Sequence, residues 1–336
     1  MRLLQNIIQK VNNIRNRRLN ILCSPTHERY ESGLAKTGHN FYALRGENIK
    51  NWHTKYAPIP PNYTILDGNG FDQLPPYVDF DLVLSQNQFG QFPVLKQVAE
   101  AYQIPLITLC HTMPYEGWNT EEIASNLANS FGDVNVFISE YSKKSWEKLC
   151  GPIKNAAVIN HMIDTTEFPY KEKVRESKIL TVANDYINRD HCLNFAQYVK
   201  VTEGLPTFPV GDTEGLSKKA ESMDQLVDFY NSFKVFLNTA HVSPIPMSVL
   251  EAMACGNVVV SCNTCAIPEY IEHGVNGFLA ESDEDMRQIL EMLLITDEKY
   301  LEHIRKNAVQ TIKDKCSTGS FIGKWNKLLY EVANAS

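Results

Sequence analysis

At 336 residues the chain is long enough for two ordinary domains, at roughly 150 residues each. Its 43% hydrophobic and 21% charged content is that of a soluble globular protein with real cores, and it holds no low-complexity run or solenoid-spaced repeat. The lack of a run of about 18 apolar residues excludes a membrane span, and a net charge of −7 disfavours a nucleic-acid partner gripped through its phosphates.

Residues 2 to 18 run against the acidic trend. Arg2, Lys10, Arg15, Arg17 and Arg18 stand there with no acid, while Leu3, Leu4, Ile7, Ile8, Val11 and Ile14 recur at helical spacing. The first apolar residues are interleaved with Gln, Asn, Lys and Arg, which is not the pattern of a signal peptide. The segment reads as a basic amphipathic helix. Two placements stay open: docked on the rest of the protein, or in peripheral contact with an anionic membrane.

From Leu19 onward short apolar runs alternate with helical patterns, the mark of a parallel sheet wrapped by helices. Strands are predicted at Leu19–Cys23, Asn40–Leu44, Leu82–Leu84, Pro105–Cys110 and Val134–Ile138, with helices at Pro93–Tyr102 and Glu121–Ser130. The pattern then restarts with strands at Ala156–Asn160, Ile179–Val182, Thr207–Val210, Val235–Leu237 and Asn257–Ser261. Its helices are predicted at Asp190–Val199, Met223–Asn231, Ser248–Cys255 and Asp283–Ile295, and Phe321–Ala333 closes the chain. The fold class is therefore α/β, with two Rossmann-like domains facing across a cleft and hinged near Met162–Tyr170. The boundaries are 1–162, 163–318 and a final helix, 319–336, that crosses back to the first domain.

Eight cysteines lie scattered in apolar contexts, which indicates a reducing, cytoplasmic setting. Cys262 and Cys265 form a CxxC with no second ligand pair, so no metal site is assigned. Neither GxGxxG nor GxxxxGK[ST] is present, so neither an ordinary dinucleotide enzyme nor a P-loop NTPase is supported.

The stretch SPIPMSVLEAMACG, residues 243 to 256, places Glu251 in an almost uninterrupted apolar helix pattern. A carboxylate there loses solvation unless something hydrogen-bonds to it. Pro246 presets the helix start, and the amides of Met247, Ser248 and Val249 point out of the N-terminus, where a phosphate binds. Glu251 lies one turn further in, suited to accept two hydroxyls of a vicinal diol such as ribose. The alternative is a structural acid that caps backbone amides or pairs with an arginine.

These residues carry a resemblance. Tyr230–Ala280, YNSFKVFLNTAHVSPIPMSVLEAMACGNVVVSCNTCAIPEYIEHGVNGFLA, resembles the donor-nucleotide signature of retaining GT-B glycosyltransferases of the family-4 type. ESGLAKTGHNFYAL, DFDLVLSQ, IPLITLCHT, NVFISEYSKKSW, AAVINHMIDTTEF and VGD are similar, in order, to other parts of that family, so the likeness covers most of residues 19 to 335. It implies a nucleotide-sugar donor, a carbohydrate or lipid-linked carbohydrate acceptor, and transfer with retention of anomeric configuration. No cofactor and no metal are implied. Glu251 matches the second Glu of the family's E-x7-E motif, which binds the ribose; Ser243 stands where the first Glu, which contacts the donor sugar, is expected. In TVANDYINRDH, Asn184 and Arg189 occupy the Arg and Lys positions that grip the diphosphate.

His111 follows the apolar strand IPLITLC and matches the family's histidine near the reacting carbon; read alone, it also suits a histidine satisfying a loop carbonyl. His27, Glu28, Arg29 and Tyr30 replace the family's Gly-rich loop and read as acceptor recognition, or as a loop with a Glu28–Arg29 salt bridge. Thr264, Cys265 and Ala266 hold a turn where the family places glycines, which leaves fewer φ options. Asp79-Phe80-Asp81 spells a metal motif of another fold, but Asp81 fits a strand-start role. Two other function classes stay in view: a catalytically weak nucleotide-sugar-binding partner subunit, and a transferase acting on modified DNA bases.

Overall fold

Parallel β-strands organise both halves of the chain in the computed structural model, which describes residues 17–46, 49–68, 70–86, 91–114 and 130–335. Two compact units emerge: Met1–Asn160 with Gly319–Ser336, and His161–Thr318. The predicted helix at Glu121–Ser130 and residues 2 to 16 of the basic segment lie outside the described residues, apart from Ser130.

In the first unit the strands are β1 (Asn20–Cys23), β2 (Asn40–Ala43), β3 (Tyr63–Ile65), β4 (Leu82–Ser85), β5 (Leu106–Cys110), β6 (Val134–Phe137) and β7 (Ala156–Val158). They form one sheet in the order β3-β2-β1-β4-β5-β6-β7, and every pairing is parallel. Every residue of β4 and β5 is buried, as expected of a parallel strand covered on both faces. Helices α1 (Glu28–Ala35), α2 (Phe92–Tyr102) and α3 (Glu140–Cys150) alternate with the strands. Against the sheet, Leu22, Val83, Phe92, Leu95, Val98 and Leu106 belong to one apolar cluster.

The second unit holds β8 (Glu176–Val182), β9 (Thr207–Val210), β10 (Phe233–Asn238), β11 (Val258–Cys262) and β12 (Phe278–Ala280). Their order is β12-β11-β10-β8-β9, again all parallel. Around them lie α4 (Asp190–Leu193), α5 (Phe195–Thr202), α6 (Met223–Ser232), α7 (Met247–Ala254), α8 (Asp283–Ile295) and α9 (Glu298–Lys315). Side-chain caps fix the starts: Ser222 accepts from the Gln225 amide, Ser282 from Asp285 and Asp297 from Lys299. The final helix, α10 (Thr318–Asn334), packs in the first unit. There Trp325 is fully buried and its indole N–H donates to the Tyr30 hydroxyl at 3.2 Å.

Some elements depart from the sequence reading. The strand at Ala156, taken as the start of the second run, is the edge of the first sheet, paired to β6. One predicted helix, Asp190–Val199, is two: Asn194 takes a left-handed φ of 55° and caps α5 by accepting from the Gln197 amide. Asp81 serves strand β1, accepting the Asn20 amide at 2.8 Å and pairing with Arg17. Among the described residues no group of three or more His, Cys, Asp or Glu could hold a metal ion. Nor is any described helix long and apolar enough to cross a membrane.

Gly211, after β9, has φ +151°, and a Cβ there would meet the Ala183 carbonyl oxygen at 1.7 Å. That oxygen is backbone and cannot rotate away. Gly211→Ala is expected to cost at least about 3 kcal/mol and to lower the second unit's calorimetric Tm by roughly 6 to 12 °C.

Candidate active site

In the second unit all strands run parallel, so the segments that follow β8, β10 and β11 emerge at one end of the sheet. Direct contacts join two of them. The amides of His241 and Val242 donate to the Cys192 carbonyl, and Thr239 Oγ1 donates to the Leu193 carbonyl at 2.8 Å. The Cys265 thiol donates to the His241 carbonyl at 3.1 Å and so fastens the turn after β11 to the same loop. Cys265 adopts φ 55° without glycine; tertiary contacts overcome the local preference at the position where the sequence promised fewer options.

Helix α7 follows from its sequence. Pro246 stands at its N-cap with φ −68°, and the small side chains of Ala252 and Ala254 let it pack tightly, with every residue from Val249 to Ala254 buried. Arg175 donates to the Cys255 carbonyl at 2.6 Å, placing a cation at the helix C-terminus. Glu251 is 3% exposed, and its Oε2 accepts the Tyr230 hydroxyl at 2.8 Å. The buried acid therefore has a protein partner contributed by α6. At the N-terminus the Val249 amide donates to the Pro246 carbonyl at 3.1 Å, which leaves Met247 and Ser248 as the first-turn donors. Ser243 is half-buried in the loop ahead.

At the end of β8, Asn184 and Arg189 are both exposed. Their loop is rigidly tied. Asp185 takes φ 51°, its amide donates to Asp212 Oδ1 at 2.6 Å, and Asn188 donates to its carboxylate at 2.7 Å. Burial works against the Asp212 charge, but the Asp185 amide and Lys219 outweigh it and hold the carboxyl below its usual range.

The first unit gathers His27, Tyr30 and His111 at the carboxyl ends of β1 and β5. The His111 ring stands edge-on to both His27 and Tyr30, with centroids 4.8 Å apart in each pair. His111 Nε2 lies 3.2 Å from Oε1 of Gln86, a buried residue that follows β4. Buried Gln91 accepts from Ser24 and Thr26 and donates to the Pro25 carbonyl, bracing the turn that carries His27. The segment 28–30 is helix rather than loop. Glu28 opens α1 and pairs with Lys50 at 2.8 Å while accepting the His53 amide at 3.1 Å, where the alternative reading had a Glu28–Arg29 bridge. Burial favours the neutral acid, yet Lys50 and the His53 amide hold Glu28 below the usual carboxylate range. Arg29 is half-buried on the same helix.

Gln86, Tyr230 and Glu31 escaped the sequence reading as site residues. Gln86 carried a usable signal, a polar residue directly after an apolar strand. Glu31 had the weaker one, an acid beside Ser32, Gly33 and Leu34. It is fully buried, accepting the Tyr63 hydroxyl at 2.6 Å and the Thr26 amide at 2.9 Å.

Residues 217–311 match the family model described as glycosyl transferases group 1. An uncharacterized glycosyltransferase of Haemophilus influenzae is 28% identical over 104 residues, covering 30% of this chain and 29% of that protein's length. Among solved structures, Anabaena HepE in complex with UDP and glucose is similar with a TM-score of 0.72 at 15% identity, over 94% of this chain and all of that one. Sucrose-phosphate synthase of Thermosynechococcus elongatus gives a TM-score of 0.73 at 12% identity, over 95% of this chain and 100% of that chain. The fold is thus that of GT-B glycosyltransferases, two Rossmann-like units.

Burial raises the Glu31 carboxyl to about 7, with Tyr63 and the Thr26 amide pulling the other way. Its folded pKa exceeds the unfolded one near 4.5, so the folded form binds the proton more tightly. Stability from this group is full below that lower value and is lost as pH rises through about 7. Glu31→Gln should therefore become more stable relative to the parent between pH 5 and pH 8, by on the order of 2 kcal/mol in urea denaturation.

Proposed function

We propose that the chain is a glycosyltransferase that takes a nucleoside-diphosphate sugar on its second unit and transfers the sugar to a hydroxyl acceptor. One observation carries this reading: a carboxylate buried in the first turns of α7, below an N-terminus whose Met247 and Ser248 amides have no partner within the helix. Ribose hydroxyls would donate to Glu251, whose Tyr230 partner already orients it. The diphosphate would meet the two amides, the helix dipole and the Arg189 guanidinium, which faces solvent from the neighbouring strand end. The similar Anabaena HepE has been solved with UDP and with UDP-glucose, which supports a uridine donor here.

In this reading the bond from the anomeric carbon to the leaving phosphate oxygen breaks, and the acceptor oxygen bonds to that carbon on the same face. The acceptor's proton passes to the leaving phosphate, so no protein nucleophile and no divalent ion is required. Arg189 and the α7 amides stabilise the charge that develops on the diphosphate. His111 is assigned to the transferred sugar, with Ser243 offering it a hydroxyl in place of a carboxylate. His27, Glu28, Arg29 and Tyr30 are assigned to the acceptor, taken as a glycan or lipid-linked glycan, and residues 2–18 remain available to an anionic membrane surface.

Ser243 also favours a second reading, a nucleotide-sugar-binding subunit with little activity of its own. Slow hydrolysis of UDP-glucose by the pure chain supports the enzyme; tight binding without any turnover supports the subunit.

Titration calorimetry with UDP tests the donor site directly. Glu251→Gln keeps an acceptor for the Tyr230 hydroxyl, so its melting temperature should match the parent's. Its affinity for UDP should fall about 10- to 100-fold, the range for losing hydrogen bonds to a charged group. Unchanged affinity would exclude the ribose role. Arg189→Gln should weaken UDP by a similar factor while leaving uridine binding unaltered.

A further inference from the structure

Tyr186 stands four residues beyond β8, between the strand end and Arg189, and is 3% exposed. Its ring belongs to the core of the second unit, edge-on to Phe195 at 5.3 Å and tilted to Tyr198 at 5.2 Å between centroids. A phenylalanine would fill that space equally well. The hydroxyl is a separate matter, because a polar group buried here loses its water and needs a partner.

That partner is the hydroxyl of Thr239, a buried residue directly after β10. The single hydroxyl proton of Thr239 goes to the Leu193 carbonyl at 2.8 Å, so the proton between the two hydroxyls is that of Tyr186. The chain of bonds runs on through the backbone. The Leu193 amide donates to the Arg189 carbonyl at 2.8 Å, and the Arg189 amide donates to the Asp185 carbonyl at 3.0 Å. On the other flank the Tyr186 amide donates to Thr213 Oγ1 at 2.8 Å, beside the Asp212 that takes the Asp185 amide. Both backbone polar groups of Arg189 are thus fixed, and the network ends on two hydroxyls in the unit's core.

We infer that Tyr186 and Thr239 are positioning residues, whose paired hydroxyls hold the root of Arg189 where its guanidinium meets a diphosphate. The assignment rests on the donor site proposed for the second unit. It adds what sets that site's preference for a nucleoside diphosphate over the bare nucleoside. Through Thr239 the loop after β8 is tied to β10, the strand that leads to α7, so Arg189 and the α7 amides share one support. A fully satisfied hydrogen-bond chain in a dry interior is rigid. A long side chain anchored at its base has less freedom to lose on binding.

Titration calorimetry with UDP and with uridine tests the assignment. Tyr186→Phe keeps the ring and removes only the hydroxyl. Its affinity for UDP should fall about 3- to 10-fold while its affinity for uridine stays at the parent level. Equal losses for both ligands would reveal a general loosening of the unit, and no loss would disconnect the hydroxyl from the site; either overturns the inference. Combining Tyr186→Phe with Arg189→Gln completes a cycle. The double variant should bind UDP as Arg189→Gln does, whereas losses that multiply would exclude action through Arg189. Thr239→Val removes the same link from the other side, and Thr239→Ser should restore it. A serine variant as weak as the valine one would count against the pair. A parent chain that fails to bind UDP ends the donor-site reading and this inference with it. A parent that binds UDP no better than Tyr186→Phe and Thr239→Val do ends this inference alone.

Discussion

A carboxylate held inside an apolar helix is the costliest feature of the second unit, and its neighbours are arranged around it. Glu251 sits among Val249, Leu250, Ala252 and Met253, all with no exposed surface. Burying such a group without partners costs far more than a typical hydrogen bond returns. The Tyr230 hydroxyl meets Oε2, while the Tyr230 carbonyl accepts from both Arg175 and Asn257. Arg175, itself buried, reaches on to the Cys255 carbonyl, so one guanidinium fastens α6 to the far end of α7. Burial and the nearby Arg305 charge lower its pKa to about 10, which still leaves it charged at neutral pH. The acid thus keeps its place because a tyrosine, an arginine and an asparagine fix the two helices together.

The first unit solves a related problem with rings. Tyr30 lies edge-on to His111 on one side and to Phe321 on the other, at 4.8 and 5.5 Å between centroids. Its hydroxyl takes the Trp325 indole proton. A histidine at a strand end is thereby wedged by side chains from α1 and backed by α10, and Gln86 sets the direction of one ring nitrogen. Such a ring has few rotamers to explore, which is what preorganisation of a polar contact requires.

The sequence disclosed the two series of βα units and most strand positions, because buried parallel strands are short apolar runs bounded by polar turns. Asp283–Ile295 and Thr207–Val210 stand where the pattern put them. Tyr63–Ile65 and Phe278–Ala280 did not show, being three-residue edge strands too short to display any period. Helix α9 was equally hidden: its exposed face is dense in charge, and only Leu301, Arg305, Ala308, Val309 and Ile312 are buried. Around the site, the apolar setting of Glu251 was legible in its own segment. Tyr230, 21 residues away, was not, since its role exists only once α6 lies against α7. The partners of Glu28 were hidden for the same reason, because Lys50 and His53 come from a loop that no local pattern connects to α1.

The Trp325–Tyr30 hydrogen bond joins residues 295 positions apart. A chain emerging from the ribosome at about 5 to 20 residues per second delivers Tyr30 well before Trp325. Throughout that interval the opening unit lacks its closing helix, and the rings of Tyr30 and His39 await Trp325, Phe321 and Tyr330. The second unit, continuous from His161 to Thr318, is under no such delay. Birth order and completion order of the two units are therefore reversed: the one begun earlier is finished later.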